Sequence, residues 1–366
     1  MIFTLNAILL AARVYRYAVT PKRVFNLTRN ALSMWISHRI KRPIVWGYPP
    51  VLMVEPTNIC NLKCPMCPSG NGEMTRTRGR MDVGHFRQLI DEIGDHLFML
   101  LFWNQGEPFI NKQFPEMVRM AKAKSIPTIT CTNGHFFHTS EAVRTVIDCG
   151  LDELIVSLDG TNSESYAKYR VGGSFQRVLD GVQAICEEKK RQKSLTPIIN
   201  LQFIIFQHNE DEIEEVRRLA RKFDVDKLTL KTAQVYTKEQ ADTFLPAKEA
   251  YRRYDYDSET LQIRRSRHPH GCHQLWQMSV VNWDGRVAPC CFDKDIEYEL
   301  GHMFDKGTRF IDVWKGKKYQ TFRQNILHDR SHTPMCSNCL EGVRAFYEVE
   351  TYYTDTNKTW KICPRI

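Results

Sequence analysis

No aspartate or glutamate occurs among the first 50 of the 366 residues of this chain, whereas eight lysines and arginines do. Because the formal net charge is +9, the rest of the chain carries only +1. A basic character confined to one end does not predict a nucleic-acid surface on the body of the protein, and we expect no nucleic-acid partner.

Long apolar runs are also absent, since none reaches the roughly 18 residues that a membrane-spanning helix needs. A secretory signal peptide fits poorly, because the basic residues follow the first apolar stretch and no small-x-small cleavage site is evident.

With 42% apolar residues, the chain can bury one α/β domain of about 200 to 250 residues with smaller appendages. Twelve clustered cysteines without a signal peptide favour metal or redox chemistry over disulfides, and therefore predict a reducing cytoplasm.

The most informative cysteines form a CxxxCxxC motif, Cys60, Cys64 and Cys67, directly after an apolar stretch. Three thiolates on one short loop can hold three irons of a 4Fe-4S cubane, and the fourth iron then stays open to a small molecule with an amine and a carboxylate. A zinc site is the alternative. Zinc needs a fourth Cys or His, and the nearest candidate, His85, is 18 residues further on.

A second motif, Gln105-Gly106-Glu107-Pro108, follows the predicted strand 98–103. Gly106 permits close backbone approach to a ligand, and Glu107 can accept a hydrogen bond from an ammonium group. Together with the cysteine triad, this turn resembles the Gly-Gly-Glu-Pro element of the radical SAM family, with Gln105 in place of the first glycine. The resemblance implies that the open iron binds S-adenosylmethionine and that Gly106 and Glu107 contact its amino group.

Between residues 51 and 235, short β-rich segments alternate with helical patterns, which predicts parallel strands with right-handed crossovers. This matches the partial (β/α)6 TIM-like barrel of the resembled family, in which ligands bind at the carboxyl ends of the strands. The predicted strands are 51–55, 98–103, 127–131, 153–157, 198–206 and 227–231, and the predicted helices are 83–93, 114–123, 141–148, 175–190 and 211–222.

Further cofactor contacts follow from the resemblance. They are Met66, Thr132, Ser157, Asp159 and Arg170. Met66 would meet the adenine through its backbone, and the guanidinium of Arg170 could pair with the cofactor carboxylate. Turn formation or helix capping is the alternative role for these polar residues. Lys231, at the end of the sixth predicted strand, is a further candidate.

Beyond a polar linker, 236–271, four cysteines form two pairs within a module at 272–340. They are Cys272, Cys290, Cys336 and Cys339. A Trp-Asp-Gly turn predicts a hairpin of 278–282 with 286–288. Four thiolates can hold an auxiliary 4Fe-4S cluster or a structural zinc.

The order of these cysteines along the chain resembles the twitch extension of radical SAM enzymes, a short form of SPASM, and implies one auxiliary cluster. Cys291 could replace Cys290, and residues 341–366 are predicted to be a tail, in which Cys363 is free.

The basic segment 1–50 is predicted to be an amphipathic helical arm. In its second stretch, Asn26, Arg29, Asn30, Ser33 and Ser37 share one side of a helix, opposite several apolar residues. Such helices either lie at a membrane interface, here through residues 1–40 on the inner face, or pack as a cap on the barrel.

The resemblance implies reductive cleavage of S-adenosylmethionine to a 5'-deoxyadenosyl radical, which abstracts hydrogen from a small-molecule or lipid-like substrate. An auxiliary cluster could then accept an electron, giving oxidation or rearrangement. An electron donor such as flavodoxin or ferredoxin is the expected partner. The alternatives are a non-catalytic iron-sulfur or zinc carrier or scaffold, and a peptide-modifying maturase, for which we expect a leader-binding domain larger than 1–50.

Overall fold

The computed structural model describes residues 14–235, 237–252, 270–337, 339, 348–353 and 361–362. Most of the first amphipathic stretch, half of the predicted linker and Cys363 therefore lie outside the described residues. Among the described residues, no helix has both the length and the apolar character needed to cross a bilayer.

Six parallel strands form the centre of the fold, as predicted. They are β1 (Val51–Val54), β2 (Met99–Phe102), β3 (Thr128–Thr132), β4 (Glu153–Ser157), β5 (Ile198–Ile205) and β6 (Lys227–Thr232). Each pairs with the next in chain order, so that β1 and β6 are the two outer strands of this set of six. The expected partial (β/α)6 barrel is thereby confirmed, and all six carboxyl ends lie at the same end of it.

The crossover helices bury one apolar side each. In the helix at Val83–Ile93, Phe86, Leu89, Ile90 and Ile93 are completely buried, at the spacing of one helix face. The helices are α1 (Pro21–Ile40), α2 (Pro68–Asn71), α3 (Val83–Ile93), α4 (Phe114–Ala123), α5 (Ser140–Asp148), α6 (Ser163–Tyr169), α7 (Phe175–Arg191), α8 (Ile213–Phe223), α9 (Lys238–Phe244), α10 (Gln274–Gln277), α11 (Phe310–Trp314), α12 (Lys317–His328) and α13 (Pro334–Ser337). The core cysteines Cys149 and Cys186 are buried, as expected.

The C-terminal part continues the same sheet on both edges. The remaining strands are β7 (Met278–Val281), β8 (Arg286–Ala288), β9 (Gly301–His302), β10 (Glu348–Tyr353) and β11 (Lys361–Ile362). On one edge, β7 pairs in parallel with β1, and the predicted hairpin joins it to β8. On the other edge, β10 pairs antiparallel with β6. The segment predicted to be a tail thus contributes a strand to the barrel sheet.

Helix α1 packs on the barrel through its polar side. Its buried residues are Arg23, Asn26, Asn30, Ser33 and Ser37. They satisfy backbone groups of the loops beneath: Arg23 donates to the carbonyls of Ser125 and Lys124, and Asn26 donates to those of Tyr48 and His96. These loops precede β1, β2 and β3, so α1 lies at the amino ends of the strands. The cap arrangement is present, but the apolar side of the helix faces outward.

Candidate functional site

The loop with Cys60, Cys64 and Cys67 leaves the carboxyl end of β1, as expected for a cofactor site. Cys64 is buried and the other two thiols are partly buried. Backbone hydrogen bonds fix the loop: the Cys67 N–H donates to the Cys64 carbonyl at 3.1 Å, and the Lys63 N–H donates to the Val171 carbonyl at 2.9 Å. The three sulfurs therefore occupy one ordered turn at the end of the barrel where ligands bind.

Polar donors surround these thiols. The Leu62 N–H lies 3.5 Å from the Cys60 sulfur, and the Asn133 side-chain amide lies 3.9 Å from it. The Arg170 guanidinium lies 3.8 Å from the Cys64 sulfur. Burial raises the pKa of the Cys60 thiol to about 11, so that the thiolate needs a positive partner such as iron.

This donor set fits a cubane. Among the described residues, no three Cys, His, Asp or Glu side chains converge on one point as ligands of a single ion. A cubane binds each cysteine through a different iron, so its ligands need no common centre. Buried thiols with N–H and guanidinium donors match the need of cluster sulfurs for hydrogen bonds.

The turn after β2 presses directly against the cysteine loop. Gly106 has φ +76°, and a Cβ on it would lie 2.4 Å from the Thr57 carbonyl oxygen and 2.8 Å from the Asn58 backbone. The Glu107 N–H donates to the Ile59 carbonyl at 2.8 Å. Only glycine therefore permits this approach, which brings Glu107 beside the loop that begins with Cys60.

Gln105, the departure from the resembled motif, has contacts of its own. Its side-chain oxygen accepts from the Ser69 hydroxyl at 3.3 Å and lies 3.7 Å from the Cys67 sulfur. The Ser69 hydroxyl also accepts from the Gly106 N–H at 3.1 Å. The sequence motif did not identify Ser69, which links the turn to the cysteine loop.

Glu107 is completely buried at the centre of this site. Its carboxylate accepts from the Thr132 hydroxyl at 2.9 Å and from the Asn133 N–H at 2.7 Å. Burial raises the pKa of Glu107 to about 7, although these hydrogen bonds act to lower it. The structure thus brings two of the predicted residues, Glu107 and Thr132, into direct contact at the ends of β2 and β3.

Ser157 and Asp159 lie at the carboxyl end of β4, and Arg170 directly follows α6. The Ser157 hydroxyl lies 3.5 Å from the Cys131 sulfur, on the adjacent strand β3. Asp159 accepts from Arg170 at 2.6 Å and from the Ile204 N–H at 2.8 Å. The Asp159 carboxylate is therefore already engaged by this buried pair, and it holds the Arg170 guanidinium near Cys64. The roles of these three residues as cofactor contacts stay predictions.

A cavity of about 520 Å³ runs from the cysteine loop to the C-terminal module. Met66 and Tyr169 line one side, and Cys291 and Phe292 line another. The cavity wall is mainly apolar and includes several amides and two lysines, and the polar members are Gln202, Lys231, Thr232, Gln234, Gln274, Gln277 and Lys294. Lys231, a candidate from the sequence, thus faces the same cavity as Met66.

The four cysteines of the C-terminal module influence one another electrostatically. Cys272 and Cys339 both raise the pKa of Cys336, after burial, which is the largest cause. The neighbouring Cys291 and burial raise the pKa of Cys290 most, and Cys272 raises it further. The Phe292 N–H lies 3.3 Å from the Cys290 sulfur. These contacts support the grouping that the sequence predicts, whose ligand roles stay predictions.

Arg330 organises this module, and no sequence motif identified it. Its buried guanidinium donates to the carbonyls of Gly271 at 3.3 Å, Cys336 at 3.1 Å and Cys339 at 2.9 Å. One side chain therefore binds the backbone beside three of the candidate ligands.

A buried ion pair joins the module to the barrel. Arg76 binds both carboxylate oxygens of Glu55, at 2.5 and 2.8 Å, and also donates to the Lys294 carbonyl at 2.7 Å. Both side chains are almost completely buried. The segment that follows the cysteine loop is thus fastened to the segment beyond Cys291.

Comparison with known proteins agrees with this geometry. The Radical SAM superfamily model matches residues 54–247, more than half of the chain, and the SPASM model, an iron-sulfur cluster-binding domain, matches residues 272–340. The chain is similar to the tungsten-containing aldehyde ferredoxin oxidoreductase cofactor-modifying protein of Pyrococcus furiosus, with 22% identity over 330 residues, 79% of this chain and 86% of the relative.

Two further similarities cover comparable lengths. The PqqA peptide cyclase of Xanthomonas axonopodis pv. citri is 25% identical over 300 residues, 75% of this chain and 77% of the relative. The crystal structure of Streptococcus suis SuiB bound to S-adenosylmethionine has a TM-score of 0.57 at 16% identity, covering 88% of this chain and 74% of that chain, which shows a shared fold. The chain therefore belongs to the radical SAM superfamily and carries a SPASM-type iron-sulfur domain.

Proposed function

We propose that this chain is an enzyme that abstracts hydrogen from a small molecule in the 520 Å³ cavity and then oxidises or rearranges it. S-adenosylmethionine, a 4Fe-4S cluster and auxiliary iron-sulfur chemistry belong to the family. When bound, the cluster and S-adenosylmethionine supply a 5'-deoxyadenosyl radical. The relatives are named for cofactor modification and peptide cyclisation, which are different substrate classes.

The residues at the strand ends bind and orient the reactants. Cys60, Cys64 and Cys67 would hold the cluster through their thiolates. Glu107 offers its carboxylate to the amino group of the methionine moiety, and the Thr132 hydroxyl keeps that carboxylate in place at 2.9 Å. The Gly106 backbone lies close enough to the cysteine loop to complete the same binding surface.

The position of the cavity is the observation that carries this proposal. It contacts Met66, next to the third cysteine, and Cys291, next to a candidate auxiliary ligand. A substrate there lies between the two cysteine groups. The mainly apolar wall suits a substrate with an apolar body, and the amides with Lys231 and Lys294 suit an anionic group on that substrate.

The C-terminal module supplies the electron acceptor in this proposal. Cys272, Cys290, Cys336 and Cys339 would hold one auxiliary 4Fe-4S cluster, and zinc would be redox-inactive there. Loss of one hydrogen atom to the radical and of one electron and one proton afterwards amounts to a two-electron oxidation of the substrate.

The proposed partner is a low-potential reductant such as flavodoxin or ferredoxin. The proposed compartment is reducing, because the seven candidate cluster ligands must stay reduced to bind iron. This electron donor would reduce the first cluster, because the cluster must receive an electron before it can cleave S-adenosylmethionine.

The test is anaerobic turnover of the full, reconstituted chain with S-adenosylmethionine and flavodoxin. We expect 5'-deoxyadenosine and methionine, loss of both with Cys64→Ala, and little change with Cys186→Ala, a buried cysteine of the core. Deuterium from the substrate should enter 5'-deoxyadenosine. A chain with a complete cluster that never forms 5'-deoxyadenosine would be an electron carrier.

Cys336→Ala separates the two steps of the proposal. The variant should still cleave S-adenosylmethionine but should yield no oxidised substrate. Full formation of oxidised product by this variant would contradict the proposed role of the auxiliary cluster.

A further inference from the structure

The outward side of α1 carries large apolar side chains, and no described part of the chain covers them. Phe25 is 64% exposed, Trp35 57% and Leu32 47%. With Val24, these residues lie within an arc of about 100° when the helix is viewed down its axis. We call Val24, Phe25, Leu32 and Trp35 the α1 apolar face.

The polar contacts of the opposite side fix this orientation. Asn26 donates to two loop carbonyls, and its side-chain oxygen accepts from the Tyr48 N–H at 2.8 Å. The Ser37 hydroxyl donates to the Ser33 carbonyl at 2.6 Å and accepts from the Ile44 N–H at 2.8 Å. Rotation of the helix to bury its apolar side would break these bonds and leave buried loop carbonyls unpaired, which is costly.

Cations surround the α1 apolar face. The guanidinium of Arg29 lies 5.5 Å from the centre of the Phe25 ring, and that of Arg39 lies 5.6 Å from the centre of the Trp35 ring. Residues 14–50 include six exposed lysines and arginines and no carboxylate side chain, and these are Arg16, Lys22, Arg29, Arg39, Lys41 and Arg42. One of them, Lys22, pairs with Asp95 on the neighbouring loop at 2.7 Å.

We propose that the α1 apolar face docks on the surface of a bilayer that contains anionic lipids. The exposed tryptophan and phenylalanine suit the interfacial layer, and the arginines beside them suit anionic headgroups. A second copy of this chain is the other obvious occupant. In a twofold dimer the same patch meets itself, so the cations would face one another, whereas an anionic surface neutralises them.

This inference goes beyond the proposed function and does not depend on it. Helix α1 contacts the loops that precede β1 to β3, whereas the cysteine loop follows β1. Docking through α1 therefore leaves the cofactor end of the barrel on the opposite side from the bilayer, where it stays open to a protein reductant and to small molecules.

The test is cosedimentation of the full chain with vesicles of phosphatidylcholine, with or without phosphatidylglycerol. We expect binding to the phosphatidylglycerol vesicles, weaker binding to phosphatidylcholine alone, and loss at high salt. The triple variant Phe25→Ser/Leu32→Ser/Trp35→Ser should bind at least about tenfold more weakly. Leu195→Ser, at an apolar residue that is 62% exposed elsewhere, is the matched control and should bind like the unmodified chain.

Three outcomes would overturn the inference. Equal vesicle binding by the triple variant would show that another surface binds. Vesicle binding that depends only on residues 1–13, as shown by their deletion, would assign it to that segment. Concentration-dependent dimerisation that the triple variant abolishes, without vesicle binding by the unmodified chain, would assign the α1 apolar face to a second copy.

Discussion

At the scale of single residues, Gly106 determines how closely the turn after β2 approaches the cysteine loop. Its positive φ requires glycine, and so does the Thr57 carbonyl oxygen, which would lie only 2.4 Å from a Cβ at this position. We expect Gly106→Ala to weaken S-adenosylmethionine binding by about tenfold or more, because the turn must move away from the loop. Equilibrium dialysis of the anaerobic holoprotein measures this affinity.

Gly307→Ala separates strain in φ from the steric clash. Gly307 also has a positive φ, +81°, but no atom lies within 4 Å of its Cβ position. This control should lose about 1 kcal/mol of stability and keep its affinity for the cofactor. Equal affinity in both variants would contradict the close-approach role of Gly106.

Glu107 predicts a pH dependence of cofactor binding. Its pKa is raised by burial to about 7, so below that pH the free protein carries a neutral carboxyl, which accepts a hydrogen bond from the cofactor amino group less well than a carboxylate does. The affinity for S-adenosylmethionine should therefore fall by about tenfold per pH unit below 7 and level off above it. Titration calorimetry between pH 5.5 and about 8.5 spans this pKa.

Glu107→Gln is the matched variant, since an amide has a similar shape and does not titrate in this range. It should bind the cofactor more weakly, with an affinity independent of pH. An unchanged pH profile in this variant would mean that another group controls binding.

Local motifs predicted the chemistry at this scale, but not the pairing of side chains. Cys60, Cys64 and Cys67 are neighbours in sequence, so their spacing alone indicates a cluster. Asp159 and Arg170 come from different elements, and whether an arginine binds a ligand or a carboxylate of the protein depends on the fold.

At the scale of elements, Arg330 holds together the backbone of the C-terminal module. Its guanidinium binds carbonyls at Gly271, Cys336 and Cys339, and lysine cannot reproduce these divergent hydrogen bonds. We expect Arg330→Lys to lose auxiliary iron while the first cluster is retained. Iron and sulfide analysis of the purified holoprotein measures the loss.

Arg309→Lys is the control, because Arg309 is exposed, directly precedes α11 and pairs with Asp312 in that helix. Its iron content should equal that of the unmodified chain. An Arg330→Lys variant that keeps all of its auxiliary iron would contradict the proposed role of Arg330 in this module.

Helix α1 shows what periodicity can and cannot predict. The pattern identified which residues share a side of the helix, including Asn26 and Ser37. It did not show which side is buried, because the carbonyls that Asn26 satisfies belong to loops at Tyr48 and His96. A polar side is buried when each of its groups finds a partner, and those partners come from tertiary structure.

At the scale of the whole molecule, the Glu55–Arg76 pair couples the barrel to the C-terminal module. Removal of one partner from a buried ion pair leaves the other charge uncompensated. We expect Glu55→Gln to lower the free energy of unfolding by about 3 kcal/mol and to loosen the auxiliary site. Thermal unfolding with parallel iron analysis measures both effects.

Two controls bracket this prediction. Glu164→Gln breaks an exposed pair with Lys168 and should change stability by less than about 0.5 kcal/mol. The double variant Glu55→Leu/Arg76→Met removes both charges and should recover most of the loss. A Glu55→Gln variant as stable as Glu164→Gln would contradict the coupling.

The strands of the barrel could be predicted almost in full, whereas the joining of the sheet could not. Each βα unit has a local apolar period, so β4 at Glu153–Ser157 was predicted with its observed ends. The pairing of β7 with β1 and of β10 with β6 joins residues that are far apart in sequence. No local pattern records such pairing, since any exposed strand edge accepts a partner.

The central claim is that the cluster held by Cys60, Cys64 and Cys67 has one open iron that binds S-adenosylmethionine. Electron-nuclear double resonance of the reduced holoprotein, with cofactor labelled by 15N and 17O in its amine and carboxylate, tests this directly. The account predicts couplings from both labels, lost in Cys64→Ala. A fully assembled and reduced cluster that shows neither coupling would contradict it.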